Sequence, residues 1–283
     1  MTPVVARLVG AGLLLSPLPG LAGCAARRPA PAPAGIAALS LADTTFHWIE
    51  RSAPGFRVHF QAGSYAAAHQ DSLVGRLPSA AAHARELIGA PALQGPIDLF
   101  FIESRTEMNR LIGTRRATGF ADPPSRTVLV MTNAGWRAFE RHEIMHVVAG
   151  QAWGPAAPGT DWLVEGLAQA ADGFCAGHPN EEVAWALARR HGWIPLRDVL
   201  TRFRAQPDLR AYLQAASFTA FLLREAGADA LRGLWHGGAT LDTRLAGHTL
   251  AELDTRWRAD LSAQWIPEPG QLERIEAVGC GEA

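Results

Sequence analysis

Five consecutive residues, His142-Glu143-Ile144-Met145-His146, carry the clearest chemistry in this sequence. On an α-helix, side chains four positions apart lie about 40° apart around the axis and about 6 Å apart along it, so both imidazoles can reach one metal ion. Glu143 points about 60–100° away from them by the same arithmetic, which leaves its carboxylate beside the ion and available as a base. The spacing therefore predicts a zinc site that activates water.

A third ligand is expected from Glu165, nineteen positions after His146, within Trp162-Leu163-Val164-Glu165-Gly166. Asp161 would begin a helix there, after the helix-breaking pair Pro158-Gly159. Two histidines and a carboxylate from a second helix complete a three-ligand catalytic zinc site with one position open to water. The alternative is a chance occurrence of the five-residue pattern, and the downstream carboxylate argues against it.

The segment that carries the two histidines must be helical. Asn133 is expected to cap its start, and Gly150 is expected to end it. A helix that is apolar nearly all round is buried, and histidine or glutamate on such a helix needs a partner that a metal would supply. The apolar residues on this segment are Trp136, Phe139, Ile144, Met145, Val147, Val148 and Ala149.

Length and composition exclude several function classes. The 283 residues suffice for one large domain or two small ones, and the formal net charge of −1 gives no field that would attract nucleic acid. All 26 basic residues are arginine, so neither a lysine Schiff base nor a Walker-type phosphate loop can form. The G-x-S-x-G motif of nucleophile-elbow hydrolases is also absent from the sequence.

Residues 1–23 are predicted to be an export signal, with Arg7 before an apolar run that is too short to span a bilayer stably. Leu21-Ala22-Gly23-Cys24 resembles the lipobox of bacterial lipoproteins, which implies cleavage before Cys24, lipidation of Cys24 and membrane attachment in the cell envelope. Residues 24–44 are predicted to form a Pro/Ala-rich tether. By the same resemblance, Ala25 after the cysteine implies sorting to the outer membrane, if the cell is Gram-negative. An ordinary secretory signal is the alternative.

The pattern of the remaining chain predicts an α+β fold in two lobes, with the zinc helix at their junction. Residues 45–134 are expected to form a mixed α/β sheet lobe, with strands at 56–60, 96–102 and 127–131 and helices at 64–89 and 104–112. The strand at 127–131 could be the sheet edge that pairs with an extended peptide, or an ordinary sheet strand.

Residues 135–283 are expected to form a mainly helical lobe. Its predicted helices cover 162–172, 180–191, 196–204, 210–226, 229–234 and 250–264. Cys175 and Cys280 are the cysteines left after Cys24, and an exported domain enters an oxidising compartment. Spacing alone does not decide whether they form a disulfide.

The two histidines, Glu143 and the segment Trp162-Leu163-Val164-Glu165-Gly166-Leu167-Ala168 resemble the gluzincin metallopeptidases, and most of all the peptidase MA-like families of bacterial lipoproteins. The resemblance implies a zincin-like fold in which His142, His146 and Glu165 bind one Zn²⁺ and Glu143 is the general base for peptide hydrolysis. Members of this group use a further donor to stabilise the oxyanion, and Tyr212 is the candidate here. The other candidates are His178, His191, His236 and His248.

The sequence departs from the thermolysin-like pattern at one notable place. Gln169 stands where those enzymes have an aspartate that orients a ligand histidine, although Gln169 could still bond an imidazole and Asp172 follows one turn later. The Gly-x-Met-Glu-Asn segment of related aminopeptidases is also missing. A non-catalytic zinc-binding envelope lipoprotein, acting as an assembly or binding module, is therefore the second hypothesis. The sequence leaves the natural substrate and the choice between endo- and exopeptidase open.

Overall fold

The computed structural model describes residues 35–114, 117–261 and 266–281. A five-stranded mixed sheet lies in the first half of the chain. The strand order is β1-β2-β3-β5-β4; β2, β3 and β5 run parallel, and β1 and β4 run antiparallel at the two edges. The strands are β1 (Trp48–Ala53), β2 (Phe56–Gln61), β3 (Ile97–Ile102), β4 (Gly119–Asp122) and β5 (Thr127–Met131). The predicted signal peptide, Cys24 and most of the predicted tether lie outside the described residues.

Helices cover the sheet and form most of the second half of the chain, so the predicted α+β class is confirmed. The first six helices described are α1 (Ile36–Ala42), α2 (Tyr65–Ala68), α3 (Gln70–Ile88), α4 (Arg105–Ile112), α5 (Glu140–Trp153) and α6 (Asp161–Asp172). The rest are α7 (Asn180–His191), α8 (Leu196–Arg202), α9 (Asp208–Gly237), α10 (Leu250–Asp260) and α11 (Gln271–Val278). Two short ladders pair β6 (Phe174–Cys175) with β7 (His178–Pro179) and β8 (Arg244–Leu245) with β9 (His248–Thr249). Within the described ranges, no helix combines the length and apolarity needed to cross a membrane.

The central strands are buried on both faces, which explains why their sequences are nearly continuous apolar runs. Every residue of β3 and of β5 is buried. The three predicted strands are confirmed, whereas β1 and β4 were not predicted. Both unpredicted strands lie at sheet edges, and their partly exposed residues give no apolar run that pattern analysis could detect.

The edge of the sheet is a different strand from the predicted one. The strand at 127–131 is β5, which lies inside the sheet between β3 and β4, so its predicted edge role is wrong. β4 takes the edge because it pairs as a short antiparallel strand with β5, which follows it directly in the chain. This edge borders the cleft described below.

The helix that carries His142 and His146 has different ends from those predicted. Asn133 does not cap it, because its side chain accepts from the Gly135 amide within a turn and donates to the Glu103 carbonyl oxygen 30 positions earlier. Gly150 lies inside α5, and the helix ends before Gly154. Gly150 is needed for close packing, since a Cβ there would stand 2.4 Å from Cβ of Pro123, which follows β4.

Other predicted helices are confirmed with altered limits. The helix predicted over 64–89 is interrupted at His69, and the helices predicted over 210–226 and 229–234 form one element, α9, with a kink at Gly227 (φ 79°). Helix α11 was not predicted. Residues 36–42, within the segment predicted as a tether, form α1, and the Trp48 indole donates to the Ser40 carbonyl oxygen there.

Cys175 and Cys280 form a disulfide, which spacing alone could not decide. It joins the short β6–β7 ladder to the residues that follow α11. Arg137 strengthens the same junction: its backbone amide donates to the Gly281 carbonyl oxygen, and its Nε donates to the Cys280 carbonyl oxygen. The chain after α11 is thereby fixed against the segment that leads into α5.

Candidate metal centre

Three predicted ligands lie together at the contact between α5 and α6. Nε2 of His142 is 3.2 Å from Oε2 of Glu165, and Nε2 of His146 is 3.6 Å from the same oxygen. One ligand atom from each residue lies within 4.8 Å of the other two. His142 and Glu165 are buried and His146 is partly buried. The three side chains thus converge on one point.

Close helix packing places Glu165 there. Gly166, the next residue, faces α9, and a Cβ on it would stand 2.6 Å from Oγ1 of Thr219 and 2.8 Å from the Ala215 carbonyl oxygen. Trp162 and Leu163 are fully buried on the same helix. Because glycine lets α9 approach, α6 is held between α5 and α9, with Glu165 directed at the histidines.

The donor set fits a zinc ion. Two imidazoles and one carboxylate are among the ligand sets of catalytic zinc sites. Burial alone would raise the pKa of Glu165, but hydrogen bonds and charge from His142 and His146 hold that pKa well below its usual range. The carboxylate is therefore ionised at neutral pH, as a metal ligand must be.

Glu143 lines the same cleft and is itself buried. Burial raises its pKa to about 8, because desolvation disfavours the charged carboxylate; His146 opposes this shift, and Glu165 and Asp172 add to it. A cation bound nearby would lower this pKa again. Glu143 is thus a carboxyl group whose protonation can change near neutral pH, which suits a general acid–base role.

Tyr212 on α9 also reaches the site. Its ring lies 6.3 Å from the ring of His142, centroid to centroid, and is nearly parallel to it. Burial and the charge of Glu165 raise the pKa of Tyr212 above its usual value, so the phenol keeps its proton. Its oxygen accepts a hydrogen bond from Arg204, which leaves the O–H hydrogen available to a substrate.

Arg204 is a site residue that sequence analysis missed. Its Nη2 donates to Oε1 of Glu165 at 2.8 Å, its Nη1 donates to the Tyr212 oxygen at 2.8 Å, and its Nε donates to Asp161 at 2.9 Å. Arg204 lies in a single 3-10 turn after α8, within a segment predicted only as helix. No local pattern marks such an arginine, because its partners lie 39 and 43 positions earlier and 8 positions later.

The alternative donors lie elsewhere. The described residues that line the cleft include none of the four alternative histidines, His178, His191, His236 and His248. His178 bonds Gln271, His191 bonds Glu276, and His248 lies 3.9 Å from Glu252. Tyr212 is therefore the predicted donor candidate that the fold brings to the metal ligands.

The predicted supports behind the ligands have other partners. The Gln169 side chain donates to Oδ1 of Asn180, and the Asn180 amide returns a bond to the Gln169 carbonyl oxygen. Asp172 forms a two-point ion pair with Arg137. These bonds join α6 to neighbouring segments and do not go to an imidazole.

The site lies in a cleft of about 1340 Å³. Gly119, Phe120 and Ala121 of β4 line it together with Tyr212 and Arg204 from the second half of the chain. The lining also includes Pro155, Trp235, Trp136 and residues 277–280. Comparison of the chain with models of known protein families and with curated proteins finds no match, so the site geometry is the basis for assigning a function.

Proposed function

We propose that this protein is a zinc-dependent peptidase of the gluzincin type with a zincin-like fold. One observation carries the proposal: His142, His146 and Glu165 converge beside the buried carboxyl group of Glu143 in an open cleft. Metal ligands, a base with a perturbed pKa and room for a substrate are the parts that metal-assisted hydrolysis requires.

In this mechanism His142, His146 and Glu165 would hold Zn²⁺. When bound there, zinc would polarise the scissile carbonyl group and make water more acidic. Glu143 takes a proton from the attacking water and transfers it to the leaving amine. The Tyr212 hydroxyl donates a hydrogen bond to the oxygen that becomes negatively charged.

An extended peptide is the substrate class that the cleft supports best. Residues of edge strand β4 line it, and an edge strand offers unpaired backbone N–H and C=O groups to another chain. A peptide that pairs with this edge would gain backbone hydrogen bonds without a sequence requirement. The cleft volume of about 1340 Å³ also exceeds the need of a small metabolite.

The N-terminal sequence supports a location in the cell envelope. Residues 1–23 would direct export, Cys24 would carry the lipid anchor, and the tether would connect the anchor to the folded domain. In a Gram-negative cell the domain would face the periplasm from the outer membrane. Its substrates would then be peptides or proteins of that compartment.

A non-catalytic zinc-binding lipoprotein is the second candidate. The bond of Gln169 to Asn180 favours it, because the expected charged support for a ligand histidine is missing. The burial of Glu143 favours the enzyme, because a buried carboxyl group is costly and a binding scaffold has no use for a base.

Zinc analysis and a peptide-library digest test this proposal with wild type, Glu143→Gln and the control Glu181→Gln, which alters an exposed glutamate on α7. Wild type and both variants are expected to bind about one zinc ion, since Glu143 is not a ligand. Only Glu143→Gln is expected to lose turnover, by about 100-fold or more. Full turnover by Glu143→Gln would contradict the mechanism. A zinc-loaded wild type that cleaves no peptide would favour the binding module.

A further inference from the structure

The guanidinium group of Arg204 connects three functional groups at the edge of the metal site. Its two terminal nitrogens donate to Glu165 and Tyr212, each at 2.8 Å, and its Nε donates to Asp161 at 2.9 Å. Each of its three nitrogens therefore has a partner. A planar group held at three points has little freedom to rotate.

The two carboxylate oxygens of Glu165 face different partners. Oε2 faces the imidazoles of His142 and His146, while Oε1 accepts from Arg204. The terminal torsion of a glutamate is broad, so the backbone of α6 does not by itself fix the direction of the carboxylate. A donor fixed on Oε1 does fix it, and thereby aims Oε2 at the point where the ligand atoms converge.

The same guanidinium group orients Tyr212. Its Nη1 occupies a lone pair of the phenolic oxygen, so the O–H hydrogen must point elsewhere. The ring of Tyr212 also packs against Phe203, the neighbour of Arg204 in the 3-10 turn, with centroids 5.4 Å apart. One short turn thus sets the positions of a metal ligand and of the candidate oxyanion donor.

We propose that Arg204 is a positioning residue that orients Glu165 towards the metal and Tyr212 towards the substrate carbonyl group. This inference rests on the proposed zinc peptidase function and adds a residue to its machinery. Arg204 acts through Glu165 and Tyr212 and does not hold the substrate, because two carboxylates, those of Glu165 and Asp161, already neutralise its charge.

Substitution of Arg204 is expected to leave the fold intact. Its side chain is 55% exposed, and the buried Glu165 keeps His142 and His146 as partners when the guanidinium group is removed. Arg204→Gln should therefore melt at the temperature of wild type. Arg204→Lys keeps the charge but lacks the planar fork, so it separates geometry from charge. Arg202→Gln is the matched control, since Arg202 is exposed two positions away and does not line the cleft.

The experiment measures zinc affinity by competition with a chromophoric chelator, together with kcat and KM for a peptide that wild type cleaves. Arg204→Gln is expected to weaken zinc binding by about 10–100-fold, the usual effect of removing a group that orients a ligand. Its kcat is expected to fall while KM stays unchanged. Arg204→Lys should resemble Arg204→Gln, and Arg202→Gln should resemble wild type.

Three results would overturn the inference. Arg204→Gln could keep the zinc affinity and kcat of wild type, or it could show a raised KM with unchanged kcat. The control Arg202→Gln could also lose as much zinc affinity and kcat as Arg204→Gln. A raised KM would mean that Arg204 contacts the substrate. If wild type binds zinc but cleaves no peptide, weaker zinc binding by Arg204→Gln still supports the role towards Glu165, and only the peptidase assignment fails. If wild type binds no zinc, both fail.

Discussion

The carboxylate of Glu143 lies directly against the backbone of Gly119, the first residue of edge strand β4. A Cβ atom on Gly119 would stand 2.1 Å from Oε1 and 2.7 Å from Cδ of Glu143. The candidate base and the free strand edge therefore border one space. Hydrolysis of a peptide paired with that edge would take place within reach of the base.

Replacement of Gly119 by alanine is expected to displace the Glu143 carboxylate while leaving the fold and the proposed zinc ligands in place. The flexible end of the glutamate would give way before the strand does. Because misplacement of a catalytic group by about 1 Å costs about 100-fold, we expect a fall in kcat of that order. Gly75→Ala is the control, since its Cβ would meet no atom within 4 Å. Unchanged kcat in Gly119→Ala would show that the contact has no catalytic role.

Tyr212→Phe tests the oxyanion donor. The phenylalanine keeps the ring that lies beside His142 but removes the hydroxyl group. We expect kcat to fall by about 100–1000-fold, as for the loss of one oxyanion donor, with unchanged zinc content. Tyr65→Phe is the control, because the Tyr65 ring stacks on His69 and does not line the cleft. This variant should behave as wild type. If Tyr212→Phe keeps the kcat of wild type, Tyr212 is not the oxyanion donor.

The Cys175–Cys280 disulfide is expected to stabilise the fold. It closes a loop with a sequence separation of 105 residues, and removal of such a bond usually costs about 2–5 kcal/mol. The double variant Cys175→Ser/Cys280→Ser should show this loss in urea unfolding. Reductant should destabilise wild type by a similar amount and leave the double variant unaffected. Equal stability of oxidised and reduced wild type would contradict the prediction.

An ion pair in the sheet, between the buried Asp98 and the half-exposed Arg57, predicts how stability depends on pH. Burial alone would raise the pKa of Asp98, but hydrogen bonds and charge from Arg57 and His59 hold it below its usual 3.8. An acid with a lowered native pKa stabilises the fold above its unfolded pKa and loses that contribution as the pH falls through the native pKa.

Asp98→Asn is therefore expected to lower the free energy of unfolding by about 1 kcal/mol at pH 7. The difference from wild type should shrink as the pH falls below about 3.8. Urea unfolding at pH 7 and at pH 3 measures both values. Asp71→Asn is the control, because the Asp71 side chain is 93% exposed and its ion pair with Arg51 should contribute little. A constant difference across this range would rule out titration of Asp98 as its cause.

Sequence patterns predicted the parts of the candidate site that depend on local geometry. His142 and His146 share a helix face because helical periodicity fixes residues four positions apart, whatever the rest of the chain does. Glu165 could be added because a turn signal separates its helix from theirs. The parallel strands β2, β3 and β5 were predictable because burial on both faces requires apolar runs.

Tertiary structure alone decided what surrounds those ligands. Arg204 meets Glu165 across 39 positions, and β4 takes the sheet edge through pairing with β5, so neither leaves a periodic pattern in the sequence. Asn133 and Gly150 were misread because a side chain that can cap a helix can equally bond within a turn, and a glycine that can end a helix can equally let a neighbour approach. Local spacing thus determined which atoms could bind a metal, and long-range packing decided how they are oriented and what lies beside them.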